Sequence, residues 1–534
     1  MKQGFRDSMD WVHTWSGVIL GVIMFVIFFM GTLSVFKDET DQWLLPQARH
    51  VGAPPDVSLD LMYDTALGIT GLHPHFIVLS APTERAPIPT VTVAPEEGRT
   101  WIYFLDPETY EVIAPLDSAA ASQFFYPMHY RLHIPGGRWI VGAVSMFLML
   151  ALISGIVIHR KIFVDFFTYR RGKKLPRLSL DLHNLTSVLA LPFHLAITVT
   201  GILIFASLYL QPSLSALYPG EEEPRARLSE EAFAYASRET SGETNLRVSS
   251  IDAMLIRAQP YWDGEPLSDV FLDHPHDEDG SVRLRRLGEG MVADERAPVL
   301  FDADTGQIIA EPAVTSAGAV QSFIVGMHEI HFDHFLLRWL YFFGGVAGSI
   351  MIATGYIYWL ETRRLKHARG ARNGVPVVEA LTIWGVMGLL TATSAYFVVN
   401  QLLPRGDWRF LGIERIFLEI VIFYLIWLAA LPHGAFRQRK AWFDQAVLLA
   451  VLCTLAPLLN WIVTGDHLLR TIWTGQWAIA IIDLILFGTA ATATYAARRL
   501  QVNWAAEAQA GNRRVVVTPA RKDSVPEPMA VAGE

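Results

Sequence analysis

Eight apolar stretches, each about as long as a membrane is thick, constrain this chain more than any other feature. A helix needs roughly 20 apolar residues to cross a hydrocarbon core of about 30 Å. Only 18% of the residues are charged, which is low for a soluble protein of this length. We therefore expect a mainly α-helical protein that crosses the lipid bilayer about eight times. The stretches are 16–36, 139–158, 185–210, 339–360, 380–403, 416–431, 446–463 and 472–495.

Basic residues follow every second apolar stretch, in segments 159–174, 363–366, 437–440 and 498–499. Short loops rich in Lys and Arg stay in the cytoplasm, so the pattern predicts that both termini are cytoplasmic. Arg405, Arg409 and Arg415 lie on the opposite side and depart from this pattern. The first stretch is too long for a signal peptide, and we expect it to be retained as a helix.

The two long loops would then face the outside, and both contain short alternating segments typical of strands, such as 90–93 and 101–105. We predict a small α+β domain in each loop. The predicted domain map is helix 1 in 1–36, a first outer domain in 37–138, helices 2 and 3 with a basic loop in 139–210, a second outer domain in 211–338, helix 4 in 339–360, four C-terminal helices in 378–498 and a disordered tail in 499–534.

An internal repeat relates the parts of the chain up to the fourth stretch. His13 and His183 occupy matching positions, and a glycine follows each of them eighteen residues later. Segments 106–113 and 302–309 also match, and both read as tight turns between strands. The repeat predicts a duplicated core of two plus two helices, followed by four helices that lack the pattern. Further matching pairs are Met128-His129 with Met327-His328, and Ser154-Gly155 with Thr354-Gly355.

Seven histidines lie in or beside the helices of the repeat. A lone histidine at a helix end is most often an interfacial residue, but an ionisable side chain at mid-membrane marks a function by default. Neutral imidazole is the usual ligand of haem iron, and two such ligands saturate the iron for electron transfer. This pattern suits haem, and it leaves a plain transporter open. The cofactor-binding candidates are His13, His129, His133, His159, His183, His194 and His328, of which all but His133 and His159 are candidate axial ligands.

Other features exclude or suggest further chemistry. The single cysteine, Cys453, excludes disulfides, thiolate iron–sulfur clusters and covalent CxxCH haem attachment. The formal net charge of −9 and the segregation of charges along the chain reflect topology, and we expect no nucleic-acid partner. Glu419 and Asp483 are lone acids in apolar stretches that could carry protons, contact a quinol or make one buried hydrogen bond.

Residues 5–365 resemble the PepSY-associated transmembrane (PepSY_TM) family. The motifs that carry the resemblance are WVHTWSG at 11–17, MHYRLH at 128–133, IHRK at 158–161, DLHN at 181–184, LPFHL at 191–195 and LRWLYF at 337–342. The resemblance implies a protein of the bacterial inner membrane whose outer loops form periplasmic PepSY-like α+β domains. The four C-terminal helices are a departure, because the shorter reductases of the family lack them.

Characterised relatives of this family are haem-b-containing ferric-siderophore reductases, so the resemblance implies a transmembrane oxidoreductase. Two haem b groups would pass electrons from a cytoplasmic or quinol donor to a ferric siderophore or other iron chelate in the periplasm, which would release Fe(II). Two alternatives remain open. One is a non-haem transporter or sensor with ligand-binding outer domains, and the other is a regulator of peptidases, although the chain has no HExxH motif.

Overall fold

The structure is a computed structural model, and it is mostly helical with one large β-sheet. The predicted basic loop at 160–173 and the last part of the predicted tail lie outside the described residues. The structure describes residues 3–50, 56–70, 74–95, 99–159, 174–220, 224, 227–228, 231, 241–242, 247–288, 290–330, 332–367, 374–406 and 408–516.

Helices form most of the described residues. They are α1 (Gln3–Ser34), α2 (Lys37–Leu44), α3 (Leu59–Thr70), α4 (Phe125–Arg131), α5 (Gly137–Ile158), α6 (Leu175–Leu189), α7 (Leu191–Ile204), α8 (Ala206–Tyr209), α9 (Gln211–Leu217), α10 (Ile251–Ala258), α11 (Ser316–Glu329), α12 (Phe335–His367), α13 (Val375–Thr382), α14 (Leu389–Leu402), α15 (Arg415–Arg437), α16 (Arg439–Thr464), α17 (Leu468–Trp473) and α18 (Trp477–Val516). A π-helical segment, Ile383–Gly388, joins α13 to α14, and Pro46–Ala48 and Gln259–Tyr261 are 3-10 turns.

Seven helices in the described part of the chain are long and apolar enough to cross a membrane. The bent pair α6 and α7 makes an eighth crossing if it counts as one span. Each crossing overlaps one predicted apolar stretch, and α18 continues through residues that the sequence assigns to a disordered tail. The seven are Gly4–Ser34, Gly137–Ile158, Phe335–Arg364, Val375–Leu402, Arg415–Arg437, Arg439–Thr464 and Trp477–Ala506.

The third crossing is bent by 66° between α6 and α7, where the sequence predicts one continuous helix. Pro192 lies in the first turn of α7. Proline has no backbone N–H and its ring clashes with the preceding turn, so the hydrogen-bond ladder of α6 cannot continue through it. The bend places the fully buried side chain of His194 in the first turn of α7.

The two long loops together build one eight-stranded antiparallel sheet at one end of the helices, which we call the sheet side. The loops meet where β1 and β5 pair, from Phe76 opposite Asp273 to Ser80 opposite Asp269. The sequence predicts one α+β unit in each loop, and the structure joins the two four-stranded units edge to edge. The strands are β1 (Pro74–Ser80), β2 (Thr90–Pro95), β3 (Trp101–Leu105), β4 (Val112–Pro115), β5 (Leu267–Asp273), β6 (Ser281–Arg286), β7 (Val299–Asp302) and β8 (Ile308–Ala310), in the order β4-β3-β2-β1-β5-β6-β7-β8.

Reciprocal hydrogen bonds relate the two halves of the sheet domain. Asp252 accepts from the Ser58 hydroxyl at 2.6 Å and from the next backbone N–H at 2.8 Å. Asp60 accepts from the Ser250 hydroxyl and from the backbone N–H that follows it, both at 2.6 Å. Each carboxylate thus satisfies free donors at the start of the helix in the other half. The internal repeat of the sequence is therefore also an internal symmetry of the fold.

The C-terminal helices α13–α18 pack against the first half of the chain. Trp43 is fully buried and donates from its indole nitrogen to Asp483 at 2.8 Å. Arg49 donates to Asp466 at 2.8 Å and to Asn460 at 2.9 Å, and also binds two backbone carbonyls. Beyond this interface, a two-stranded hairpin of β9 (Arg409–Phe410) and β10 (Ile413–Glu414) leads into α15.

Because of its hydrogen bonds, we expect substitution of Arg49 to reduce the stability of the protein much more than substitution of Arg470, although both arginines pair with Asp466. Arg49 is nearly buried, whereas Arg470 is 54% exposed and pairs with the same Asp466 at 3.5 Å. We expect Arg49→Ala to destabilise the protein by about 3–5 kcal/mol, because it removes four largely buried hydrogen bonds and leaves Asp466 with the exposed Arg470 as its remaining ion-pair partner among the described residues. Arg470→Ala should cost at most about 1 kcal/mol. The midpoint of thermal unfolding can be measured for both variants from the rate at which a maleimide labels Cys453, which is buried in the folded protein. Equal midpoints for the two variants would contradict this role of Arg49.

Candidate functional site

Four of the predicted histidines form two pairs in the helical core. His13 of α1 and His183 of α6 have ring centroids 6.1 Å apart. His129 of α4 and His328 of α11 have ring centroids 6.0 Å apart and lie nearer the sheet side. Each pair takes one histidine from each copy of the repeat. The sequence predicts these residues, and the structure adds which of them face each other.

The spacing within each pair fits a metal ion held between two imidazoles. With a metal–nitrogen distance of about 2 Å on each side, two rings bound through Nε2 have centroids about 6 Å apart. No hydrogen bond joins the two rings of either pair. In the described residues, no group of three or more His, Cys, Asp or Glu side chains is placed to hold a metal ion. Two protein ligands suit haem, in which the macrocycle supplies the other ligands.

Hydrogen bonds to helix carbonyls orient the first pair. The Nδ1–H of His13 donates to the Ala151 carbonyl at 2.9 Å, and that of His183 donates to the Met351 carbonyl at 2.8 Å. A carbonyl only accepts, so each contact requires the proton to sit on Nδ1. Nε2 of each neutral ring is then left with a lone pair for a ligand.

The second pair is held in the same way. The Nδ1–H of His129 donates to the Ile27 carbonyl at 2.7 Å. His328 places Nδ1 3.0 Å from the Thr200 hydroxyl oxygen. That hydroxyl donates its own proton to the Ala196 carbonyl at 2.8 Å, so its oxygen is the acceptor for His328. All four imidazoles therefore present Nε2 as the free nitrogen.

A glycine lies beside each of the four imidazoles. Gly31, Gly155 and Gly355 lie four residues after the carbonyl that binds the ring. A Cβ on Gly31 would lie 2.8 Å from His129, and one on Gly201 would lie 2.8 Å from His328. Gly155 and Gly355 leave 3.2 Å and 3.3 Å to the rings of His13 and His183. A side chain four residues on would cover the carbonyl of the preceding turn. In the sequence these glycines stand out only as repeat positions, because their contact with the rings depends on how the helices pack.

Burial favours the neutral form of the two sheet-side histidines. Desolvation lowers the pKa of His129, and the hydrogen bond to Ile27 only partly offsets it. Desolvation, with a smaller contribution from His129, lowers the pKa of His328 to about 3. Both rings are therefore neutral near pH 7, as ligation of a metal ion requires.

An apolar cavity lies beside the sheet-side pair, and both histidines line it. Phe28, Val141 and Phe193 are among its walls, and the two small residues Gly31 and Gly201 open it beside the imidazoles. The cavity thus gives the His129–His328 pair an apolar surrounding.

His194 lies between the two pairs. Its Nε2 is 3.3 Å from the Gly344 carbonyl, and Gly348, four residues on, again leaves room for the ring. It precedes Thr200 by six residues in α7, about 9 Å along the helix. Its buried Nδ1 has no hydrogen-bond partner within the described ranges, and no second imidazole faces it there. The ring contacts Phe28 edge-on with centroids 5.6 Å apart.

His133 and His159 occupy different surroundings. His133 binds the Phe124 carbonyl through Nε2 at 2.9 Å and stacks on the Phe124 ring, and burial lowers its pKa. His159 follows the last residue of α5 and lies near enough to His183 to interact with it electrostatically. The structure brings neither of them face to face with another imidazole in the described residues.

The two lone acids both have partners. Glu419 accepts from the Ser118 hydroxyl at 2.8 Å and from Asn400 at 3.2 Å, and Arg415 lies 3.3 Å from it. Asp483 accepts from Trp43. These hydrogen bonds match the interpretation that the two acids are held by buried hydrogen bonds. Their burial can therefore be explained without a role in proton transfer or quinol binding.

The fold and the site define a multi-pass membrane protein whose duplicated helical core holds two pairs of histidines. The sequence matches the family model described as PepSY-associated TM region over residues 11–362, so the chain belongs to this family. A relative from Pseudomonas aeruginosa, named Uncharacterized protein PA4219, is 24% identical over 354 residues, which cover 62% of this chain and 84% of the relative. Residues 363–534, with the C-terminal helices, lie beyond the matched family region.

Proposed function

We propose that this protein carries electrons across the membrane by means of two b-type haems. One would bind between His13 and His183, and the other between His129 and His328. The observation that carries the proposal is the spacing of the imidazole rings, 6.1 Å and 6.0 Å, with Nδ1 held by the protein in all four. When bound, haem supplies reversible one-electron chemistry at its iron.

The residues around each pair have separate tasks in this proposal. The carbonyls of Ala151, Met351 and Ile27 fix the tautomer and orientation of the ligands and raise their basicity. The apolar walls around His129 and His328 exclude water, which favours ligand binding and influences the redox potential. The fully buried His194 fills the space between the two pairs with a polarisable ring.

We propose that the sheet side faces the periplasm of a bacterium and that the protein lies in the inner membrane. The Lys- and Arg-rich segments at 363–366 and 437–440 are at the helix ends opposite the sheet, and basic loops stay in the cytoplasm. Both termini would then be cytoplasmic. Electrons would enter beside His13 and His183 from a cytoplasmic or quinol donor and leave beside His129 and His328.

The electron acceptor in this proposal is a ferric siderophore or another ferric chelate on the sheet side. One electron converts chelated Fe(III) to Fe(II). Oxygen-donor chelators bind the harder Fe(III) more strongly than Fe(II), so reduction releases the iron. The support for this acceptor is the resemblance of the histidine motifs to those of ferric-siderophore reductases, together with the position of the second histidine pair.

Histidine variants test the pairing directly. Wild-type protein made with ample haem should contain two b-type haems per chain in a pyridine haemochrome assay. His13→Ala and His129→Ala should each retain one, and the double variant should retain none, because each pair needs both ligands. His133→Ala serves as a control outside the pairs and should retain both.

Two results would count against this proposal. A reduced-minus-oxidised spectrum without the sharp α-band of b-type haem would favour the non-haem transporter or sensor. Full haem content in both single variants would leave haem binding intact and refute the assignment of the pairs.

The glycines predict a finer effect. Gly31→Ala should displace the His129 ring and weaken haem binding at that pair by about 10- to 100-fold, since it disturbs the carbonyl contact of the ligand. Gly17→Ala is the matched control on the same helix, because no atom lies within 4 Å of its added Cβ. Haem transfer to apomyoglobin measures both affinities, and equal transfer rates would show that the glycine has no such role.

Reduction of a chelate tests the proposed acceptor. The protein is reduced with dithionite, freed of excess reductant and mixed with ferrioxamine B in the presence of ferrozine. We expect the b-type spectrum to reoxidise while the Fe(II)–ferrozine colour appears, and His129→Ala should slow both. A stable reduced spectrum with no Fe(II) would exclude ferrioxamine B as an acceptor. The same result with ferric citrate would count against ferric chelates as the class of acceptor.

A further inference from the structure

A second cavity lies on the sheet side between the first half of the sheet and the C-terminal helices. One wall is formed by β3 and the free edge strand β4, including Trp101 and Tyr103. The other wall is the hairpin of β9 and β10 with the start of α15, including Trp408 and Arg415. Because the family match ends at residue 362, this wall belongs to the part of the chain beyond the matched region.

Arginines outnumber carboxylates in the lining of this cavity. Arg99 and Arg409 both pair with the same carboxylate, Glu414, and the Arg409–Glu414 distance is 3.2 Å. Arg415 pairs with Asp117 at 2.8 Å and also lies beside Glu419. The lining thus contains three guanidinium groups and two carboxylates, and a third carboxylate, Glu419, reaches Arg415 from outside the lining.

Arg415 provides a second and independent observation. Its side chain is only 1% exposed and lines the cavity. Its Nη2 donates to the Asn400 carbonyl at 2.7 Å, but its buried Nε has no hydrogen-bond partner in the described part of the chain. A buried charged donor without an acceptor costs free energy, so this nitrogen favours an additional acceptor.

The remaining walls present aromatic faces. Trp101, Tyr103 and Trp408 line the cavity, and the Arg99 guanidinium lies 4.6 Å from the centre of the Trp101 ring. Indole and phenol rings stack on flat conjugated groups, and guanidinium groups bind carboxylates in two-point contacts. Together these walls match a ligand that has both a flat ring and a negative charge.

We propose that this cavity binds a small organic anion with an aromatic ring, such as an aryl carboxylate. The carboxylate would bind the arginines, and the ring would lie between Trp408 and the aromatic side chains of β3. The site is separate from the histidine pairs, so this proposal stands or falls independently of haem.

Titration calorimetry of the full-length protein in detergent with salicylate tests the proposal. We expect saturable binding to wild type, and binding at least about tenfold weaker to Arg409→Ala and to Trp408→Ala, since each loses a direct ligand contact. Salicylamide, which lacks the charge, and acetate, which lacks the ring, should each bind at least about tenfold more weakly than salicylate.

Leu411→Ala is the matched control, because Leu411 lies in the same hairpin, is 86% exposed and does not line the cavity. It should bind like wild type. Maleimide labelling of the buried Cys453 during heating shows whether each variant is folded, because the thiol becomes accessible only on unfolding. Absence of saturable salicylate binding to wild type overturns the proposal, and so does equal affinity of wild type and the folded double variant Trp408→Ala/Arg409→Ala. Salicylamide or acetate binding as strongly as salicylate also overturns it.

Discussion

The hydrogen bond from an imidazole Nδ1–H to a helix carbonyl is the interaction on which the candidate site depends. In a regular helix that carbonyl already accepts from the N–H four residues on, and the side chain there covers its second lone pair. Gly31, Gly155, Gly201 and Gly355 remove that cover beside four histidines. Each ring can then donate from Nδ1–H to the neighbouring helix, and its Nε2 keeps a lone pair for a ligand. For His13, His129 and His183 the partner is thus a backbone atom that no substitution can remove, whereas His328 relies on the Thr200 hydroxyl.

The duplicated fold brings these ligands together in pairs. Each half supplies one histidine to each pair, so the two halves must keep a constant relation. The β1–β5 pairing and the reciprocal caps of Asp60 and Asp252 hold the outer parts of the halves together. Since α4 and α11 flank the same sheet domain, they carry His129 and His328 to within 6.0 Å of each other. The sheet therefore contributes to the site although none of its strands contributes a ligand.

Much of this architecture could be predicted from the sequence, because lipid imposes a length and an apolar composition on every crossing. The histidines could be proposed because the repeat places them in matching positions. Their pairing could not, since it depends on how helices distant in sequence pack. The bend before His194 was missed although Pro192 marks it, and the joining of the two loops into one sheet depends on edge pairing that no local pattern encodes. Arg409 and Arg415, which depart from the charge rule, line a cavity together.

The central proposal is that each histidine pair would hold one haem through its two Nε2 atoms. Cryo-electron microscopy of the protein purified with its natural cofactors tests this claim most directly. The account predicts a planar macrocycle between His13 and His183 and another between His129 and His328, with iron about 2 Å from each Nε2. A map in which the paired rings contact each other or side chains, with no density between them, would contradict it.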